Sequence, residues 1–175
     1  MVTSPFRALL GAAFDTLPDA HRAFYDRQGS IHLIGTARVW RSRNPVAGLL
    51  CTLVGLPDAG EDVPLTLAVT RDGREHWARR FGRRRYASSF VKRNGLMIEH
   101  MGWLTNVFRF EVVEQALHLH LIGCRAFGVP LPAWLRPRCH AIETTDNDAL
   151  TFDIPISMPG FGPVIHYSGR LEFNA

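Results

Sequence analysis

The sequence predicts a mainly β fold: an antiparallel up-and-down β-barrel of about ten strands, calycin-like in form. Three observations carry this expectation. Apolar residues recur at every second position over much of the chain, as in Phe108, Phe110 and Val112, or Leu117, Leu119 and Leu121. Asp72-Gly73 and Asn94-Gly95 fall between such runs, and each suits a two-residue hairpin turn, whose central residues need positive φ. Finally, no β–helix–β alternation occurs, so a parallel sheet has no support. About ten sequential antiparallel strands exceed what an open sheet tolerates without curling, and closure removes the exposed edges. The alternative is a helix-grip α+β fold, in which a curved sheet wraps a long helix. The absence of a C-terminal helical pattern weighs against it.

The elements follow in order. Phe6, Leu9, Leu10, Ala13, Phe14 and Leu17 keep helical spacing, so residues 5–27 form a helical opening, with Thr16 as the N-cap of a second helix and Pro18 near its start. Residues 31–41 form the first strand; its small Gly35 and Ala37 allow curvature or close approach by a neighbour. Asn44-Pro45 then opens a short helix over 46–54, which Gly55 ends, and an acidic turn spans 58–62. Strands are expected from 64 to 70, 74 to 81, 84 to 91, 96 to 101, 107 to 113 and 117 to 123. A Pro-rich connection over 127–137 leads to strands at 138–145, 150–156 and 164–173. The short helix caps one mouth of the barrel, and the N-terminal helices lie outside it or over an end.

With 175 residues, the chain has the size of one domain spanning 1–175, with a helical segment at 5–27 and the barrel at 31–173. The hydrophobic fraction of 46% excludes wholesale disorder. No apolar run reaches the length of a membrane span. The start of the chain reads as an amphipathic helix and not as a signal peptide, because Pro5 and Asp15 bracket a short apolar run. Three cysteines without CxxC spacing read as free thiols in a reducing cytoplasm. Of the 20 basic residues, Lys92 alone is Lys. The net charge of +4 is too modest to imply nucleic acid, and strand alternation splits the dense run from Arg79 to Arg85 between two faces.

Several motifs converge on a known pattern. They are Gly35-Thr36-Ala37-Arg38-Val39, the segment from Leu56-Pro57-Asp58 to Val63-Pro64, and Trp77-Ala78-Arg79-Arg80-Phe81-Gly82. Further on come Leu131-Pro132-Ala133-Trp134-Leu135-Arg136-Pro137, Phe152-Asp153-Ile154-Pro155-Ile156 and His166-Tyr167-Ser168-Gly169-Arg170-Leu171-Glu172. In order and spacing, from about Phe14 to Glu172, they resemble the bacterial family called domain of unknown function 4166. The resemblance implies a domain that occurs alone or behind a nicotinamide-binding, saccharopine-dehydrogenase-like domain. Lacking a GxGxxG motif, this chain is similar to the stand-alone form.

The candidate site is inside the barrel. Arg79 lies between Trp77 and Phe81 at strand spacing, so it shares their apolar face. A buried guanidinium needs a carboxylate, and Glu99, Glu143 and Asp153 are the candidates. With Phe110 and Tyr167, these residues define a ligand-binding set of Trp77, Arg79, Phe81, Glu99, Phe110, Glu143 and Tyr167. Leu131, Trp134 and Leu135 form an apolar patch in the Pro-rich connection, a lid, portal or membrane-contact surface. His118 and His120 share one strand face, and His140 is a possible neighbour. Surface histidines alternating with leucines are the preferred reading, so neither a metal nor a cofactor is expected. No GxSxG elbow is present.

The expected function is binding of a small apolar or amphipathic molecule, lipid-like or metabolite. The rivals are an enzyme acting on such a molecule, beside a nicotinamide-dependent partner, and a protein-interaction module using the Trp134 loop. Peripheral membrane contact fits the same loop. An enzyme requires a titratable group with a perturbed pKa in the pocket. A carrier requires an apolar cavity lacking one, and an interaction module a filled barrel with an exposed apolar loop.

Overall fold

The computed structural model describes residues 4–72 and 74–173. Among them eleven strands follow one another: β1 (Gly29–Arg41), β2 (Gly60–Arg71), β3 (Glu75–Phe81), β4 (Arg84–Arg93), β5 (Leu96–Met101), β6 (Leu104–Val113), β7 (Ala116–Ala126), β8 (Val129–Pro130), β9 (Arg138–Asp146), β10 (Ala149–Met158) and β11 (Gly162–Phe173). Neighbours in sequence pair antiparallel throughout, except that β7 pairs with β9 as well as with the short β8. The ring closes where β1 pairs with β11. Ten strands therefore form a closed barrel, and β8 is an appendage on β7.

Close backbone approach makes that seam possible. A Cβ on Gly35 would stand 1.8 Å from the Arg170 carbonyl oxygen, and one on Gly169 2.5 Å from that of Thr36. The small residue expected at 35 thus lets two backbones meet. Elsewhere tight turns set the register. Asn94 and Gly95 take φ of 51° and 72°, as the hairpin signal requires. Glu114 and Gln115, at 49° and 65°, make the same kind of turn without glycine. The Asp72-Gly73 signal includes Gly73, which lies outside the described residues.

Some boundaries differ from expectation. β2 starts at Gly60, so Glu61 lies in a strand and not in a turn, and pairs with Arg38 across the outer face at 2.6 Å. β6 and β7, of 10 and 11 residues, extend beyond the expected 107–113 and 117–123. Thr16 does not cap the second helix: its hydroxyl donates to the Ala13 carbonyl at 2.8 Å within a 3₁₀ turn.

Helices occupy both mouths. α1 (Pro5–Leu10) is capped by Ser4, whose hydroxyl oxygen accepts from the Phe6 N–H at 3.3 Å. After the 3₁₀ turn comes α2 (Asp19–Asp26). The Arg7 guanidinium ties these pieces together, with 2.7 Å to Asp26 and 2.9 Å to Asp15. Phe6, Phe14, Phe24 and Tyr25 are each at most 2% exposed. They plug the mouth at which β1 begins: Phe6 lies 5.6 Å from Phe110, and Phe24 meets Trp77 edge-on at 5.5 Å. Burying each such side chain contributes roughly 1.5–3 kcal/mol. At the other mouth sits α3 (Pro45–Val54), capped by Asn44 and stopped by Gly55 at φ 79°.

Arg71, on the barrel wall, fastens the plug. Its Nη1 donates to the Phe24 and Arg27 carbonyls at 3.0 and 2.6 Å, satisfying orphan acceptors at the end of α2. Its Nη2 donates to Glu75 at 2.8 Å, and the same Glu75 oxygen accepts from the Trp77 indole at 2.7 Å. One buried carboxylate thus orients both the arginine that holds α2 and the tryptophan that α2 packs on.

Candidate functional site

Strand alternation turns Trp77, Arg79 and Phe81 of β3 inward, as the sequence predicts, and the strands that follow, β4, β5 and β6, add inward polar groups. Arg79 is opposite Tyr86 in the register, and Trp77 opposite Ser88. Glu99 pairs with Asn106 across β5 and β6. Among the described residues one hydrogen bond holds the Arg79 guanidinium, from Nη1 to Ser88 Oγ at 2.7 Å. Its nearest carboxylate is Glu99 at 3.9 Å, which in turn accepts from the Asn106 amide at 3.1 Å. The cation also faces the rings of Trp77 at 4.8 Å and Tyr86 at 5.2 Å. A guanidinium has five N–H donors, so Arg79 keeps donors for a further acceptor.

These donors border a partly open cavity of about 70 Å³ beneath the plug. Trp77, Arg79, Phe81, Glu143 and Tyr167 line it, together with Phe24, Tyr86, Phe152 and Ile154. Glu99 stands behind Arg79. Phe110 packs under Phe6, so it supports the plug. Asp153, considered as an Arg79 partner, faces outward and pairs with His166 at 2.6 Å. Leu131, Trp134 and Leu135 are on the connection at the α3 end, away from the cavity; Trp134 is 68% exposed.

Burial governs the electrostatics. It pushes the Glu143 carboxyl above the usual carboxylate range, against the opposing pull of the Tyr25 hydroxyl, which donates to it, and of Arg79. Burial also raises Tyr86, and raises Tyr167 further with the help of the Tyr86 phenol. The Cys139 thiol is pushed up to about 12 by burial and by Glu99. It is protonated at neutral pH and is no thiolate nucleophile. Sequence reasoning did not find Tyr25, Tyr86, Ser88 or Asn106. The signal for Tyr86 and Ser88 was available in the Gly82 hairpin, whose register places them opposite Arg79 and Trp77.

On the outer wall β7 and β9 bring His118, His120 and His140 together, with ligand atoms all within 4.8 Å of one another. The α3 mouth presents exposed apolar side chains: Leu49, Leu53, Phe127, Val129 and Trp134. Among the described residues no helix is long and apolar enough to cross a membrane.

The profile of the family described as "Domain of unknown function (DUF4166)" matches residues 17–171. The chain belongs to this family. The match takes in all the barrel strands but the last two residues of β11, and it begins at Leu17, so α1 lies outside it and α2 inside. The cavity of this DUF4166 chain is thus lined entirely by residues within the family's span. No curated protein matches the chain.

Proposed function

We propose that the barrel binds a small amphipathic molecule, with its anionic or hydrogen-bond-accepting group against Arg79 and its apolar part against Phe81, Phe152 and Ile154. One observation carries this reading: a guanidinium held, among the described residues, by a single hydrogen bond lines a mostly apolar cavity inside the barrel. A buried ion pair adds little stability over apolar packing, so folding alone gives weak reason to keep Arg79 there. Pockets of this kind are mostly apolar with few convergent polar groups. At about 70 Å³ the cavity is well below the ~300 Å³ of drug-sized sites, so the ligand is short, or longer chains displace the plug. Glu143 is the group that a proton-transfer reaction on such a ligand would use, so the enzymatic reading rests on the same cavity.

The test is a series of straight-chain carboxylates (butyrate, hexanoate, octanoate, decanoate) titrated against tryptophan fluorescence, to which Trp77 in the cavity wall contributes, and by calorimetry. Saturable binding by short members, weakened about tenfold or more in Arg79→Ala and partly restored in Arg79→Lys, supports the reading. Absence of binding across the series, or equal affinity in a folded Arg79→Ala protein, sinks it.

A second reading concerns the α3 mouth. Leu49 and Leu53 are 59% and 60% exposed and Phe127 is 79% exposed. Arg43, Arg83, Arg125 and Arg136 belong to loops and strand ends at that mouth. Apolar side chains ringed by arginines complement an anionic lipid surface. Sedimentation with phosphatidylcholine vesicles, with and without phosphatidylserine, tests this. Binding only with phosphatidylserine, lost in Leu49→Glu/Leu53→Glu, supports it; no binding to either vesicle refutes it.

A further inference from the structure

The outer wall carries a second constellation, unconnected with the cavity. His118 and His120 are two residues apart on β7, so both project from the same face. β9 runs beside β7, and His140 is the register partner of His120. The His118 Nδ1 and His140 Nε2 are 2.8 Å apart, and the His120 and His140 rings stack with centroids 4.1 Å apart. Exposed strand positions favour β-branched and aromatic residues, and three clustered imidazoles repel one another once protonated. One hydrogen bond joins His118 to His140, but such a cross-strand pair needs only two of the three imidazoles.

Coordination chemistry gives a reason for all three. Imidazole nitrogen suits Zn²⁺ and its neighbours in the transition series. Zinc–nitrogen bonds of about 2.0–2.1 Å put tetrahedral ligand atoms roughly 3.3 Å apart. The donor atoms here already lie within 4.8 Å, so side-chain adjustments on a fixed sheet bring them to one ion. A carboxylate supplies the outer contact that metal-bound histidines usually make. Glu111 Oε1 lies 2.5 Å from His120 Nε2. An ionised carboxylate only accepts, so Nε2 carries the proton and Nδ1 keeps its lone pair for the ion. His120 and His140 also line an open groove of about 670 Å³ that includes Arg136, Arg138 and His166.

We propose that His118, His120 and His140 bind one Zn²⁺ ion on the outside of the barrel, with Glu111 orienting His120. Three histidines leave the fourth tetrahedral position open toward the groove. That position takes water or a small anion, and Arg136 and Arg138 favour the anion.

The experiment uses the untagged 175-residue chain, stripped with chelator and titrated with Zn²⁺ against a chromophoric competitor. The expected result is one ion per chain. His140→Ala and His118→Ala each lower the affinity at least a hundredfold, and Glu111→Gln lowers it about ten- to a hundredfold. His166→Ala, on the same groove but outside the cluster, leaves it unchanged. Circular dichroism verifies that each variant is folded. Co²⁺ substitution gives d–d bands without a thiolate charge-transfer band. Lack of saturable binding, unchanged affinity in folded His140→Ala, or a thiolate band abolished by Cys139→Ser overturns the proposal.

Discussion

The Tyr25 hydroxyl, on a helix of the plug, donates a hydrogen bond to the Glu143 carboxylate on the barrel wall. Tyr25 is fully buried, and Glu143 lines the cavity. The contact joins the element that closes the barrel to the site it closes over. Tyr25→Phe leaves Glu143 without that donor and lowers stability by about 1–3 kcal/mol in urea unfolding. Amide exchange in α2 accelerates in parallel. A variant as stable as the parent would show that the contact holds nothing.

His21 gives stability a pH dependence. It is buried on α2 against Tyr25, and among the described residues neither ring nitrogen has a hydrogen-bond partner. Burial lowers its folded pKa to about 4, against about 6.5 in the unfolded chain. As pH falls below about 6.5 the unfolded state takes up the proton first, so stability drops until about pH 4. The total from this group is on the order of 3 kcal/mol. Urea unfolding at several pH values checks this, and His21→Leu removes this component of the slope.

Arg71 and Glu75 are both nearly inaccessible, with side chains 5% and 1% exposed. Removing one partner strands the other charge in the interior. Arg71→Met is expected to lose about 3–5 kcal/mol, and Arg71→Met/Glu75→Gln to recover part of it. Thermal and urea unfolding of the two variants measure the difference. Equal losses in both would mean that Arg71 matters through its bonds to the α2 carbonyls and not through the ion pair.

Gly35→Ala places a methyl group 1.8 Å from a carbonyl oxygen at the seam. Backbone cannot yield as a flexible side chain does, so the cost is about 3 kcal/mol or more. Ala37→Gly, two residues along the same strand, is the mild control. Denaturation midpoints of the two proteins give the comparison.

Cys139 stays protonated near neutral pH because its thiol is pushed up to about 12. Iodoacetamide at pH 8 therefore alkylates it slowly in the folded protein and rapidly in urea. Fast modification of folded protein would contradict the protonated state.

The barrel was legible because alternation and turn chemistry agreed along most of the chain. Arg79 was legible for a local reason: aromatic residues at i−2 and i+2 leave an arginine no other face. Glu99 and Glu143 came from the same logic, whereas Asp153 failed, because its phase on β10 turns it outward toward His166. The plug was not legible as such. Helical spacing puts Phe6 and Phe14 on one apolar face, but does not show that they enter the barrel with Phe24 and Tyr25 and leave only a small cavity. The histidine cluster depends on β7 pairing with β9 across the residues between them, a long-range choice that spacing within either strand does not encode.

The seam between β1 and β11 also orders events during synthesis. The plug helices leave the ribosome before the barrel strands, yet the interior they fill is not enclosed until β11 has emerged to meet β1. Until then the nascent chain is a curved sheet with two bare edges, and Phe6, Phe24 and Tyr25 have no finished chamber to enter. The barrel therefore closes only once β11 has emerged, and until then its open edges are exposed to wrong pairing.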